Sequence, residues 1–328
     1  MDAVVFPNDN NSVIVIPEGY SKYNDNFKKR PYHESLFRRI SYYLIDSGLI
    51  KYNIIDLGAW IGDNSLPWAK IIYPNKVYAI DPSEYNCNYI KALKEINELY
   101  NVNIIQKAIS DKTEIVSTNG DINHTQFSQN SNGKIKLEAV SLDELNDQKV
   151  IEDIDYIHLD VEGMEYQVLL GASSIIEKYR PVITYEIHLY TDKHVEDIKM
   201  LLKSKNYKVY LINEILPGCN YDCRNCLAIP VEKEPENLIS KMIEKLNGKY
   251  TIICHVANRC EHIHINNLSN AMYTFTLLNG GSYATILIKN NETNINIIKH
   301  YGERVYIDQC IQYGKTIKPL MENLFTLQ

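Results

Sequence analysis

Long hydrophobic runs are missing from this 328-residue chain. No apolar stretch reaches the roughly 18 residues that a membrane helix needs, so a spanning helix is not expected. The opening residues MDAVVFPNDNNSVIVIPEGY lack a basic start and a small-residue cleavage site, so no secretory signal is visible. An excess of positive charge is also missing: 34 Lys and Arg against 41 Asp and Glu leave a net charge of −7. A broad nucleic-acid-binding face is therefore not expected. Cysteine is sparse and odd in number, at seven, which points to free thiols in a reducing compartment and hence to the cytoplasm. Internal repeats are absent.

What is present is a rhythm. Residues 1 to about 30 read as an irregular arm in which Val13–Ile16 suits an edge strand, followed by a helix over 34–47. From residue 53, short apolar runs alternate with amphipathic helices. NIIDLG (53–58), VYAID (77–81), VNIIQKAI (102–109), YIHLDV (156–161), VITYEI (182–187), YKVYLI (207–212) and LAIP (227–230) read as strands. Helices are expected at 64–73, from Ser83 to about Tyr100, at 164–179 and at 192–205, with a short one starting at Ser141. Strands alternating with helices over some 180 residues predict an α/β fold with a doubly wound, mostly parallel sheet. A charged helix is expected at 234–247. Beyond Gly248 the alternation stops, and β-like runs broken by Asn and Gly predict a smaller β-rich or α+β unit. The expected division is 1–50 for the arm and first helix, 51–232 for the main domain, and 233–328 for a linker helix and the C-terminal unit.

Four motifs carry chemistry. DLGAWIG (56–62) places Gly58 and Gly62 at a strand-to-helix turn, where glycine lets a backbone approach a ligand closely. The spacing is not that of the dinucleotide fingerprint. Asp81 ends the second strand, where an acid accepts hydrogen bonds from ribose hydroxyls. The competing reading is a helix cap, since Pro82 and Ser83 open a helix. In HLDVEGMEYQ (158–167), strand alternation puts His158, Asp160 and Glu162 on one side, with the two acids at the strand tip. Those acids suit proton abstraction, substrate orientation or a metal ion. In TYEIHLY (184–190), Glu186 and His188 share one face, and a histidine suits a general base.

Taken together, IIDLGAWIGDNS (54–65), VYAIDPSEYN (77–86), KAISD (107–111), VSLDEL (140–145), YIHLDVEGMEYQVLLGA (156–172) and PVITYEIH (181–188) resemble the FkbM family of S-adenosylmethionine-dependent methyltransferases. The resemblance covers about residues 50–230. It implies a class I methyltransferase sheet, Rossmann-like, with seven strands of which the last is antiparallel. It also implies S-adenosyl-L-methionine as cofactor and O-methylation, with sugar hydroxyls on glycans or glycosylated metabolites as acceptors. Asp56, Gly58, Ala59 and Gly62 match the loop around the methionine part of the cofactor, in which Trp60 is also an expected cofactor residue, and Ser65 matches the small hydroxyl residue that follows it. Asp81 and Ser83 match the ribose side, and Ala108, Ile109 and Ser110 the edge of the adenine. Asp160, Glu162 and Gly163 match an acidic D-x-E-G element. Asp160 and His188 are the expected proton acceptors, with Glu162 and Glu186 orienting. His158 departs from the lysine more usual there, and Trp60 from asparagine.

A divalent metal is not favoured on this reading. Cys219, Cys223 and Cys226 spell CxxxCxxC, the spacing of radical S-adenosylmethionine clusters. The motif falls too late in the chain, and free thiols are expected. Cys260, His262 and His264 alternate without a closed four-ligand zinc pattern. Two further readings stand beside the first. RNA 2′-O-methylation is disfavoured because no lysine ends a matching strand, and a catalytically inactive binding subunit is disfavoured by the intact glycine loop and acids. The C-terminal unit is the candidate surface for homo-oligomers or a partner.

Overall fold

A computed structural model describes residues 2–5, 13–17, 19–20, 34–119, 133–189, 192–212, 223–246, 250–256, 259–265, 284–290, 296–301 and 325–328. The chain opens with an antiparallel hairpin of β1 (Asp2–Val5) and β2 (Val13–Ile16), then α1 (Ser35–Asp46). The central alternation follows: β3 (Asn53–Leu57), α2 (Ser65–Ile72), β4 (Val77–Ile80), α3 (Glu84–Ile96) and β5 (Val102–Ile105). A small three-stranded sheet comes next, of β6 (Ala108–Ile109), β7 (Glu114–Thr118) and β8 (Ile135–Val140). Then come α4 (Leu142–Asp147), β9 (Ile154–Leu159), α5 (Glu165–Leu170), α6 (Ser173–Tyr179), β10 (Val182–His188), α7 (Val195–Ser204), β11 (Tyr207–Ile212) and β12 (Cys223–Pro230). After α8 (Leu238–Leu246) lie β13 (Tyr250–Val256), β14 (Arg259–Ile265), β15 (Ala284–Asn290), β16 (Asn296–Tyr301) and β17 (Phe325–Leu327).

The main sheet runs β5-β4-β3-β9-β10-β12-β11-β17. Its first five strands are mutually parallel, and β12 inserts antiparallel between β10 and β11. Without β17 this is the seven-strand class I methyltransferase arrangement. The order reverses at β3, so the crevice for a ligand opens beyond the carboxyl ends of β3, β4 and β9. Among the described residues beyond Gly248, a separate four-stranded antiparallel sheet runs β14-β13-β15-β16. Among the described residues no helix is long and apolar enough to cross a membrane.

Two boundaries read from the sequence are crossed by contacts. Phe325–Leu327 returns to the main sheet and pairs antiparallel with β11, supplying its otherwise open edge with backbone partners. In the expected arm region, Ile14 and Ile16 of β2 and Phe37, Ile40 and Leu44 of α1 are buried in the same core as the sheet. Two element readings also change. The run 102–109 splits at Gln106 and Lys107 into strands of different sheets. The helix expected over 164–179 breaks at Gly171, where a Cβ would stand 2.3 Å from the Ser110 carbonyl oxygen. Only glycine permits that approach, and its own carbonyl turns aside to accept from the Asp143 N–H. Ser141 caps its helix as read, accepting from the Glu144 N–H, and Ser83, expected on the ribose side, caps α3 by accepting from the Asn86 N–H.

Candidate active site

Register decides what the strand tips present. Asp56, His158 and Thr184 are direct neighbours across β3, β9 and β10, so all three face one side of the sheet. Glu186 lies opposite Asn225, and His188 opposite Cys223, across the β10–β12 pair. These four extend the same face toward the strand ends.

The glycine turn is held tightly from behind. The N–H groups of Gly58 and Ala59 both donate to the Ile80 carbonyl, at 3.0 and 3.2 Å. Gly58 has φ +76, and a Cβ there would stand 1.8 Å from the Asp160 backbone oxygen. The crossing of β3 past the end of β9 thus requires glycine. Trp60, at φ +44, takes the left-handed conformation without being glycine, and its N–H donates to Asp81 Oδ2 at 2.9 Å. Asp81 Oδ1 accepts from the Ser83 N–H at 2.8 Å and from Asn86 Nδ2 at 3.2 Å. Asp81 therefore acts as the cap reading expects, anchoring the start of α3 and the glycine turn, and its acceptor-only carboxylate stands at the carboxyl end of β4. Ser83 is fully buried as the α3 cap.

Other expected cofactor residues act from beneath. The Asp56 carboxylate is buried and accepts a hydrogen bond from Ser65 Oγ, and burial pushes its pKa up to about 7 despite that bond. Ser65 is likewise buried, so the pair braces the loop from inside. Ala59 is buried, and Gly62, at φ +80, packs against Leu66 and Ile90. On the β6 side, Ala108 and Ile109 are buried, and Ser110 Oγ donates toward Glu114 and Asp111.

The acids separate on inspection. Asp160 is half-buried, and desolvation holds its carboxyl well above the usual range, helped by the charges of Glu186, Glu34, Glu162 and Glu165. Glu162 corrects the expectation of one shared strand face. β9 ends at Leu159, alternation stops there, and Glu162 sits at φ +53 with its side chain exposed. The next acid, Glu165, is the buried one. Its Oε1 accepts from the N–H groups of Val161 and Gly163 at 3.1 and 3.2 Å, and burial raises its pKa to about 7. His158 is not at the mouth of the site. Its ring stacks on Phe37 at 4.7 Å, meets Trp68 edge-on at 5.6 Å, and shares a hydrogen bond with Thr184 Oγ1 at 3.0 Å. Burial lowers its pKa to about 4, so it is neutral. His188 Nε2 lies 3.7 Å from Glu186 Oε1, and its backbone N–H donates to Asp192 Oδ2 at 2.6 Å.

Sequence reasoning passed over a buried brace. Arg38 of α1 donates through Nη2 to Asp63 Oδ2 at 2.7 Å and to Glu34 Oε2 at 3.3 Å, and through Nη1 to the Asp63 carbonyl at 2.9 Å. Asn225 Nδ2 donates to Glu34 Oε1 at 3.0 Å. Burial alone would lower the Arg38 pKa, but Asp63 and Glu34 more than offset it, so the guanidinium stays charged. Helix α1 is thereby tied to the residue after Gly62 and to β12. The i, i+4 spacing of Glu34 and Arg38 was the available signal. CxxxCxxC does not gather thiols: Cys223 and Cys226, three apart on one strand, face opposite sides, and Cys219 lies outside the described residues. Cys226 sits in the core beside Tyr185. Cys223 and Cys226 are free thiols.

Residues 56–209 match the family model described as the methyltransferase FkbM domain. Among solved structures, a methyltransferase FkbM from Methylobacillus flagellatus is similar at 16% identity and TM-score 0.41. That match covers 55% of this chain and 45% of the other, so the chain spans under half of that relative's length. A putative caffeoyl-CoA O-methyltransferase from Staphylococcus aureus is similar at 14% identity and TM-score 0.40, covering 65% and 93%. A SAM dependent methyltransferase from Aquifex aeolicus is similar at 14% identity and TM-score 0.34, covering 66% and 100%. No curated protein matches. Residues 56–209, which carry the glycine turn, the strand-end Asp81 and the acidic rim at the sheet's switch point, are thus the part of the chain that matches the FkbM methyltransferase domain.

Proposed function

We propose that the chain methylates a hydroxyl oxygen, on a sugar of a glycan or glycosylated metabolite. The observation that carries this reading is Asp160. It lies just past the end of a central strand, its backbone oxygen touches the glycine turn, and its carboxyl is held well above the usual carboxylate range. A carboxylate whose pKa is raised is more basic than an ordinary one, and an alcohol needs a base to act as a nucleophile. The donor set fits the cofactor: Asp81 offers a carboxylate to ribose hydroxyls, and the acidic rim of Asp160, Glu162 and Glu186 suits a sulfonium charge. When bound, the cofactor supplies an electrophilic methyl group.

The chain's own residues then position and deprotonate. The glycine turn, fixed by Ile80 and Asp81, sets the cofactor side. Asp160 Oδ takes the acceptor's proton as the oxygen attacks, and Glu186 and His188 beside it orient the acceptor. Sugar hydroxyls suit this rim because carboxylates accept their hydrogen bonds, whereas a polyphosphate acceptor would meet repulsion from the acids.

The test is a methyl-transfer screen against nucleotide sugars, oligosaccharides and capped RNA, read by mass spectrometry. Transfer to a sugar is expected, with Asp160→Asn lowering kcat about 10²–10⁴-fold at nearly unchanged cofactor affinity. Transfer to capped RNA alone, or full activity in Asp160→Asn, overturns the reading.

A further inference from the structure

The donor cluster at the outer end of the polar sheet face is more than an acidic rim. Glu186 and His188 are two apart on β10, and Cys223 faces His188 from β12. One ligand atom from each, a carboxylate oxygen, an imidazole nitrogen and the sulfur, lies within 4.8 Å of the others. Cys223 Sγ is 2.9 Å from Glu186 Oε1, and His188 Nε2 is 3.7 Å from the same oxygen. The cysteine is fully buried, while Glu186 and His188 keep 14% and 18% of their side chains exposed, which leaves an entry route. Because the three sit on two hydrogen-bonded strands, their spacing is set by the sheet and not by loops.

We propose that Glu186, His188 and Cys223 form a zinc-binding site beside the methyl-transfer site. Sulfur, imidazole nitrogen and carboxylate oxygen are the three donor types of protein zinc, and the mixture of soft and hard donors disfavours magnesium and calcium. Three protein ligands leave a fourth tetrahedral position for water or an acceptor oxygen. On binding, the Cys223 thiol loses its proton to solvent and its sulfur bonds the ion as thiolate, so one proton is released from that group. The site stands on donor geometry alone and does not require the methyl acceptor to be a sugar.

The experiment uses the full chain, stripped with a chelator and then titrated with Zn²⁺ and, separately, Co²⁺. Retained metal is counted by elemental analysis after gel filtration, and the cobalt form is read for a thiolate charge-transfer band. Tight binding with that band is expected. Cys223→Ser should abolish the band. His188→Gln and Glu186→Gln should each weaken binding beyond the roughly 10–100-fold that loss of an outer-shell partner costs. The sequence also holds Cys254, Cys260, His262 and His264, so a Cys260→Ser control is included. Binding that is lost in Cys260→Ser but kept in Cys223→Ser overturns the proposal, as does the absence of tight binding. Should Cys223→Ser fail to fold, by circular dichroism, the half-buried His188 carries the same test through its glutamine variant. None of these readouts depends on methyl transfer, so this proposal and the proposed activity fail separately.

Discussion

The two faces of the main sheet are built from alternate residues of the same strands, yet they differ in kind. One face carries Ile55, Leu57, Ile157, Leu159, Ile183, Tyr185 and Ile187 under α4, α5, α6 and α7, so the centre of that face is apolar. The other begins apolar, with Ile54, Tyr156 and Val182 under α1, α2 and α8. Toward the carboxyl ends it turns polar, through Asp56, His158, Thr184, Glu186 and His188, met from above by Glu34, Arg38, Asp63 and Ser65. The first face contributes stability by burial. The second spends part of that stability on fixing charged groups where the strands end. Buried ion pairs recover little net energy against their desolvation, so the Arg38 brace is better understood as setting geometry.

This contrast can be broken in several places. The largest effect is expected at Gly58→Val. A side chain would meet the Asp160 carbonyl and force an unfavourable left-handed φ, so cofactor binding by calorimetry should vanish and the melting temperature should fall. Arg38→Ala comes next. It leaves Glu34 and Asp63 buried without their cation and should cost about 3–5 kcal/mol in denaturant unfolding.

The pH dependence of His158 is expected to be on the order of 3 kcal/mol, from a pKa of about 4 when folded against an ordinary value of about 6.5. Its folded value is depressed, so the unfolded chain binds the proton first. This contribution is present above about pH 6.5 and is lost as pH falls toward 4. Asp56, raised to about 7, acts oppositely: its contribution is present below about pH 4 and fades as pH rises through 7. A His158→Phe variant should therefore resist acid better than the parent, and equal acid midpoints would break the account.

Asp81→Ala should weaken cofactor binding tenfold to a hundredfold, or about 1.5–3 kcal/mol, read by calorimetry. It also strips a partner from the Trp60 N–H, so Asp81→Asn, which keeps one acceptor oxygen, should lose less. The smallest effect belongs to the dry face. Ile157→Val should cost about 0.5–1.5 kcal/mol and leave transfer rates unchanged. A large change in kcat from that variant would show that the two faces are coupled.

Much of this was legible in the residues because it is local. Apolar runs of strand length, glycines at strand ends and serine caps leave marks within a few positions. The turn at Gly58 and the acid at Asp81 were legible for that reason. Glu162 misled because alternation was carried three residues past the end of β9, and the residue that turns inward is Glu165. His158 misled because its strand position is right but its depth depends on Phe37 and Trp68, from two other elements. Glu34 and Arg38 were passed over since their partners, Asp63 and Asn225, are 25 to 191 residues away.

The sequence by itself determined the class of sheet, the glycine turn and the acids at the strand tips, since each depends on short-range pattern and backbone freedom. Tertiary structure decided which of those groups are buried, which are shared and which meet. Burial and charge coupling depend on through-space distance in a low-dielectric interior, and that distance is set by strand register and helix packing. Register alone placed Cys223 against His188 and Glu186, and turned Cys226, three residues on, into the dry core.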